Sequence, residues 1–173
     1  MLELNTYVMY GDNGVCLVAD KRREKFGGLY KEYYILKPVN NEGSTFYVPS
    51  DNDDLIDKMQ QVLTYDEIMD IIHSLPDDSA VWIEDNKKRE SRYKEIFERG
   101  DRHELLILIK AIYEHKKQRK AEGKKLWTLD ENAMKHAEKL VYEEFGTVLN
   151  IPPDEVLPFI INEIDKVDAA NQT

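Results

Sequence analysis

Hydrophobic residues in the first fifty positions come in short runs that are rich in β-branched and aromatic side chains. The runs cover residues 7–9, 15–18, 32–36 and 45–48, and this composition is typical of strands. Glycine and asparagine separate the runs, for example at Gly27-Gly28, as tight turns require. Short strands at this spacing predict a small β-barrel of the Tudor or SH3 type over residues 1–52.

From residue 53 onward the hydrophobic positions recur every three or four residues, which predicts helices. The predicted helices lie within residues 55–63, 65–75, 82–97, 102–122, 128–146 and 153–164. Capping signals such as Thr64 with Glu67 precede some of them, and Gly100, Gly123 and Gly146 follow others. We therefore predict an α+β protein, in which an all-α helical bundle over residues 53–167 follows the barrel and residues 168–173 form a flexible tail.

Charge is distributed unevenly along the chain. The formal net charge is −10, yet residues 87–125 contain 14 lysines and arginines against 7 acidic residues. Net acidity argues against general nucleic-acid binding, whereas the local excess predicts one contact with a polyanion. The cations of residues 116–125 also crowd a helix C-terminus, where the helix dipole favours them without any partner. Both interpretations of that cluster stay open.

The sequence lacks the residue patterns of a catalytic or metal site. The single cysteine, Cys16, excludes an internal disulfide, and the four histidines do not have zinc-site spacing. The acidic stretch 51–85 lacks the spacing of a calcium-binding loop, and neither a signal peptide nor a membrane span is visible. We expect a cytoplasmic protein without catalytic residues, cofactor, metal, small-molecule ligand or membrane contact.

Several short motifs occur in an order that resembles one known family. They are Tyr10-Gly-x-x-Gly14, EYYILKP at 32–38, Tyr47-Val-Pro-x-Asp-Asn52, Arg92-Tyr-Lys94, Gly100-Asp101 and AEKL at 137–140. Over nearly its whole length the chain is similar to the CarD/CdnL-like bacterial transcription regulators. The resemblance implies a Tudor-like domain that binds the RNA polymerase β subunit. It also implies a helical domain that contacts promoter DNA and stabilises the open promoter complex without catalysis.

The resemblance also implies where the polymerase would dock. Family members use arginines in the second hairpin and in the strand before Val-Pro, and this chain has Arg22, Arg23 and Tyr47 at or beside those places. The predicted polymerase-binding residues are Arg22, Arg23, Lys37, Tyr47 and Pro49. A charged hairpin also protects a sheet edge from aggregation, without any partner.

The basic stretch supplies the predicted DNA contacts. Lysine and arginine neutralise phosphates and release counterions, and tyrosine can hydrogen-bond to the DNA backbone. The predicted set is Trp82, Lys88, Arg89, Arg92, Tyr93, Lys94, Lys124 and Lys125. Binding to free DNA should be weak and largely to the backbone, because acidic segments flank this stretch.

The tryptophans are open to two interpretations. Family members insert a tryptophan into the minor groove, and the resemblance aligns that position with Arg89, seven residues after Trp82. On a continuous helix, Trp82, Arg89 and Tyr93 would share one face. Trp82 is then either a wedge between base pairs or a packing residue. Trp127, just before a predicted helix, is interpreted as structural.

An alternative function uses the same charge pattern. The basic face of the helical domain could bind an acidic protein and not DNA, which would make the chain a protein–protein adaptor. A solvated helix face with ion pairs along it is the simplest explanation of the charges. A salt-sensitive shift of DNA would separate these possibilities.

Overall fold

A computed structural model describes residues 1–78 and 81–173, and the chain divides into two compact units, Met1–Leu63 and Thr64–Thr173. The first unit contains the strands β1 (Tyr7–Tyr10), β2 (Val15–Phe26), β3 (Leu29–Pro38), β4 (Phe46–Pro49) and β5 (Met59–Gln61), with the short helix α1 (Asp53–Ile56). The second contains α2 (Tyr65–Ser74), α3 (Asn86–Arg99), α4 (Arg102–Ala121), α5 (Thr128–Leu149) and α6 (Pro153–Asn171). The predicted order of a β unit followed by helices is confirmed.

The five strands form one antiparallel sheet in the order β4-β3-β2-β1-β5. Between Val18 and Asp20 the pairing of β2 with β3 shifts register, as expected for a β-bulge. Beyond the bulge the two strands continue as a long hairpin that closes at Gly27 and Gly28, both at positive φ. Glycine adopts this conformation without steric cost, which explains the turn.

One face of the sheet covers the hydrophobic core of the first unit. The buried members are Val8, Cys16, Val18, Tyr34, Leu36, Val48 and Met59. Because side chains alternate along a strand, Tyr34 and Leu36 point inward together while Tyr33 lies on the opposite face. Cys16 is fully buried here, so its thiol is a packing group.

Residues 53–61 differ from the sequence prediction. A helix over 55–63 is wrong: α1 ends at Ile56, and β5 pairs with β1, with Gln61 opposite Val8 and Met59 opposite Tyr10. The apolar spacing of this segment fits a helix as well as a turn followed by an inward-facing strand residue, and the sheet decides between them. The first unit therefore extends to Leu63, past the predicted boundary at residue 52.

Several helix boundaries follow their capping groups. Thr64 forms the predicted capping box with Glu67 at the start of α2, and Asp101 caps α4. The predicted start of α3 at residue 82 is wrong, because Asp85 accepts the amide hydrogen bond of Lys88 and begins the helix at Asn86.

The ends of the last two helices lie later than predicted. Helix α5 continues through Gly146 to Leu149 and ends at Asn150, which adopts the left-handed conformation. Helix α6 extends to Asn171, so most of the predicted tail is helical.

Hydrophobic faces of α4, α5 and α6 form the core of the second unit. Buried side chains include Leu105, Leu108, Ile112, Ala137, Val141, Phe145, Val156 and Ile160. Their spacing of three or four residues explains why these segments form amphipathic helices. Across residues 1–78 and 81–173, no helix is long and apolar enough to cross a membrane.

Candidate functional site

The strands β2, β3 and β4 each carry one aromatic ring of a cluster on the face opposite Tyr34. Phe26, Tyr33 and Tyr47 contact each other edge to face, with ring centroids 5.2 Å apart for Phe26–Tyr33 and 5.3 Å for Phe26–Tyr47. This geometry is favourable for aromatic pairs. The three rings are called the aromatic patch below. Phe26 is 49% exposed and Tyr47 40%, so the patch is open to a partner.

Charged side chains border the aromatic patch. Arg22 lies opposite Tyr33 in the strand register and forms an ion pair with Glu24, with 2.6 Å between Nε and Oε1. Pro49 pairs with Tyr33 from the other side. A rim of one guanidinium and one carboxylate around apolar rings can orient a partner that the rings bind.

The predicted polymerase-binding residues do not all lie together. Tyr47 belongs to the aromatic patch, and Arg22 and Pro49 border it. Arg23 pairs with Glu32 and therefore lies on the other face of the hairpin, whereas Lys37 pairs with Leu17 at the far end of β3. The sequence prediction missed Phe26, although its position at the end of an alternating strand was a usable signal.

One more apolar side chain extends this surface to the tip of the hairpin. Leu29, opposite Phe26, is 68% exposed directly after the turn at Gly27-Gly28, whereas Tyr30, 63% exposed, pairs with Lys25 on the other face. Clustered apolar exposure of this kind marks interaction surfaces more often than isolated exposed residues do. This face of the first unit therefore presents an exposed apolar surface.

Residues 2–62 match the CarD-like/TRCF RID domain family. The first unit is a CarD-like RID domain. The match ends within two residues of the boundary between the compact units, so it includes β5, and it confirms the family predicted from the sequence. RID domains interact with the RNA polymerase β subunit, consistent with a transcription-related role that involves polymerase binding. No curated protein matches the chain.

Outside the RID domain, the second unit contains a buried charge network centred on Arg89. Arg89 is 1% exposed and forms a two-pronged ion pair with Asp130, at 2.7 Å and 3.0 Å. The Tyr93 hydroxyl donates to the same carboxylate at 2.7 Å. Burial, followed by Asp130, raises the pKa of Tyr93. The network ties α3 to α5.

The remaining donors of Arg89 hold the segment before α3. One terminal nitrogen donates to the backbone carbonyl of Ile83 at 2.9 Å, and the other donates to the Asn86 side chain at 2.9 Å. Arg89 therefore satisfies Asp130 and anchors residues 83–86 at the same time. A forked guanidinium suits this task better than a lysine ammonium, because its donors have fixed directions.

Three aromatic rings stack beside Arg89. Trp82 and His115 are parallel within 9° at 3.6 Å, and His115 and Trp127 are within 19° at 5.7 Å. The Arg89 guanidinium lies 4.6 Å from the Trp82 ring, and the Arg119 guanidinium lies 3.8 Å from the Trp127 ring. Trp82, His115 and Trp127 are called the aromatic stack below. Cation–π contacts at these distances are favourable.

Arg89, Tyr93 and Trp82 were predicted to contact DNA, and the structure places all three in the interior contacts just described. Arg89 is 1% exposed and Tyr93 6%, so neither side chain is available to a phosphate in this structure. Trp82 precedes α3 and is stacked on His115, so the continuous helical stripe is wrong. The reason is Asp130, a fully buried carboxylate that requires a cation.

Other arginines of the basic stretch are likewise paired inside the second unit. Arg92 contacts Glu104 at 2.9 Å and Glu95 at 3.1 Å. Arg102 contacts the fully buried Glu144 at 2.7 Å. Much of the positive charge counted in the sequence therefore stabilises the helical packing.

Lysines form most of the exposed part of the basic stretch. Lys88 and Lys94 are exposed on α3, and Lys124 and Lys125 are exposed in the loop before α5. Arg119 donates to the backbone carbonyl of Lys125 at 2.6 Å, which fixes that loop. Lys124 also contacts Glu122 at 3.0 Å.

The first turn of α3 and the loop before α5 lie close together. The Arg89 guanidinium is 5.3 Å from the Trp127 ring, and Lys88 is the neighbour of Arg89 in the chain. The partly exposed Trp127 ring is therefore approached by the guanidinium groups of two helices, Arg89 of α3 and Arg119 of α4. The surface cations of the first turn of α3, the end of α4 and the loop before α5 are called the basic surface: Lys87, Lys88, Arg119, Lys124 and Lys125.

Proposed function

We propose that this chain is a transcription regulator that docks on the RNA polymerase β subunit through its RID domain. In this proposal its basic surface contacts promoter DNA and stabilises the open promoter complex. The role requires no catalysis, and we place it in the bacterial cytoplasm, where the polymerase works. The observation that carries the proposal is the RID match over residues 2–62.

The aromatic patch is the proposed polymerase contact. Interfaces concentrate binding energy in a few aromatic and arginine side chains surrounded by weaker contacts. Phe26, Tyr47 and Arg22 fit this description, since the two rings are exposed and the guanidinium borders them. We further propose that the sheet is a Tudor-like barrel, in which β4 and β5 approach each other.

Binding of the full chain to purified RNA polymerase tests the docking proposal. Exchanging Arg22 for Glu and Tyr47 for Ala should cost about 2 kcal/mol or more if both are hot-spot residues, roughly a 30-fold rise in Kd. Arg23→Glu is the matched control, because Arg23 lies on the opposite face of the hairpin. Equal affinity of the double variant and the parent would remove the aromatic patch from the interface.

The basic surface is the proposed DNA contact, and its affinity for free DNA can be low. Lysines contact phosphates without reading sequence, so free DNA should bind with a Kd of about 10⁻⁴ to 10⁻⁶ M. Docking on the polymerase would raise the effective DNA concentration near this surface. Net stabilisation of the open complex then requires tighter contact with the open promoter than with the closed one.

An adaptor function is the second candidate. It is favoured by the ion pairs that Arg89, Arg92 and Arg102 form within the chain, because these leave mainly lysines for an outside partner. Promoter cross-linking in the polymerase complex separates the two functions. Cross-links from the basic surface to DNA that weaken with salt support DNA contact, whereas cross-links to an acidic polypeptide alone support the adaptor.

A further inference from the structure

His115 is the middle ring of the aromatic stack and contacts a tryptophan on each side. Its Nε2 is buried and has no hydrogen-bond partner within residues 1–78 and 81–173. A neutral imidazole can fill this position as a flat apolar spacer. In a protonated ring both nitrogens are donors, so Nε2 would carry a buried N–H for which no acceptor is described.

Charged groups of four elements face His115. Arg89 of α3 and Arg119 of α4 repel a protonated ring, whereas Asp130 of α5 and Glu84 of the segment before α3 attract it. Glu122, at the end of α4, is also close enough to interact with the ring. Burial, the largest influence, lowers the pKa of His115 below its ordinary value, so the folded protein favours the neutral ring.

The aromatic stack leads directly to the basic surface. Trp127 is the residue from which α5 begins. Arg119 stacks on the Trp127 ring and donates to the carbonyl of Lys125. A displacement of Trp127 would therefore move Arg119, Lys124 and Lys125 together.

We propose that His115 is a positioning residue whose neutral ring holds Trp127 and Arg119, and with them the basic surface, in the arrangement that binds DNA. Protonation of the ring opens the stack and weakens DNA contact. This inference rests on the proposed DNA contact of the basic surface. Because other groups gain positive charge as the pH falls, DNA binding would otherwise strengthen, so the predicted effect has the opposite sign.

Linkage gives the direction of the stability change. Since the pKa of His115 is lower in the folded state, its neutral form contributes stability above the ordinary His pKa of about 6.5, and that contribution is lost as the pH falls below it. The informative comparison therefore runs from about pH 7.5 down to a pH well below about 6.5, because the folded ring is protonated only below its lowered pKa.

The test compares the parent chain with His115→Phe, which keeps a flat aromatic spacer but cannot be protonated. Both tryptophans of the chain lie in the stack, so indole fluorescence reports on it directly. Melting temperature and affinity for a promoter duplex are measured on the same samples. His73→Asn is the control, because His73 is exposed on α2.

We expect the parent and the His73 variant to change in indole fluorescence and lose melting temperature at the lower pH, and the His115→Phe protein to change less. The ratio of DNA affinities, His115→Phe over parent, should be near one at the higher pH and should rise as the pH falls. A parallel pH response of both proteins in fluorescence and melting temperature would overturn the positioning role.

Two further results separate this inference from the proposed function. A stack that responds to pH while the affinity ratio stays constant would refute the coupling between His115 and the basic surface. Absence of DNA binding by every protein at both pH values, including in the polymerase complex, would instead refute the proposed DNA contact. The fluorescence comparison would still decide whether the neutral ring holds the stack.

Discussion

Replacing Arg89 by Ala separates the two roles that a basic residue at this position can have. If the Arg89 guanidinium serves the interior, its removal leaves the Asp130 carboxylate, which is 0% exposed, without its cation. The hydrogen bond from the Tyr93 hydroxyl to Asp130 would remain. The same change frees the carbonyl of Ile83 and removes the cation over Trp82. The damage would be to folding, and DNA contact would be lost only as a consequence.

The size of the effect follows from the burial of the pair. Removing one partner of a buried ion pair costs about 3–5 kcal/mol, because the other charge stays buried without compensation. For a unit of this size that loss lowers Tm by at least about 10 °C. Since domains are typically stable by about 5–15 kcal/mol, the variant should remain mostly folded at low temperature or lie close to unfolding.

Thermal unfolding of three proteins measures the effect. Arg89→Ala should melt far below the parent, and Lys88→Ala, its exposed neighbour, should stay within about 0.5 kcal/mol of it. Replacing Arg89 by Met and Asp130 by Leu together should recover part of the loss, since paired apolar replacements of buried ion pairs are often close to neutral, while the Tyr93 hydroxyl and the Ile83 carbonyl lose these partners. An unchanged melting temperature of Arg89→Ala combined with weaker promoter complexes would refute the internal role.

Two further predictions concern the basic surface and the packing of α5 on α6. Exchanging Lys88, Lys124 and Lys125 for Ala should shorten the open-complex lifetime. It should also reduce the slope of log K against log salt concentration for DNA binding by about 2.7, at about 0.9 per phosphate contact. The same exchange at Lys135, Lys139 and Lys166, exposed lysines outside the basic surface, should change neither quantity, and equal slopes of the two triple variants would contradict the DNA contact of the basic surface. Gly146→Ala should lower the free energy of unfolding by about 1–3 kcal/mol, because the added Cβ would lie 2.8 Å from the backbone oxygen of Ile151. Gly43→Ala is the control and should change stability little, since its added Cβ has only a 3.7 Å contact. Comparable stability of the two variants in thermal unfolding would show that the α5–α6 turn moves to accommodate the Cβ.

The sequence predicted elements where a local signal and the tertiary structure agree. Short runs of β-branched and aromatic residues identified the strands around Tyr34, and the capping box at Thr64 marked the start of α2. Residues 53–61 were mispredicted because their apolar spacing fits two structures and pairing with β1 selects one. Gly146 was interpreted as the end of a helix, but α5 continues past it. Glycine is required at this position because the α5–α6 turn approaches the helix closely.

The sequence predicted which family the chain resembles, but not which residues form each candidate site. The RID match confirms the family, but the residues around its aromatic patch depend on the bulge at Val18–Asp20, which sets the face on which each side chain lies. In the second unit, Arg89 and its partner Asp130 are separated by 41 positions. A charge count along the chain cannot detect a pairing over that distance.

Arginines and lysines in residues 87–125 have different roles, and this limits what the local charge excess indicates about DNA binding. Arginines such as Arg89 and Arg102 neutralise buried carboxylates from α5, as their fixed fork of donors and weaker hydration favour. Lysines keep their strongly hydrated ammonium groups at the surface. Paired arginines contribute little net field outside the protein, because the carboxylate beside each one cancels it. The potential that a DNA phosphate would meet is therefore set by the exposed lysines and by Arg119, so exchange of those lysines tests the DNA proposal, whereas exchange of buried arginines tests only the fold.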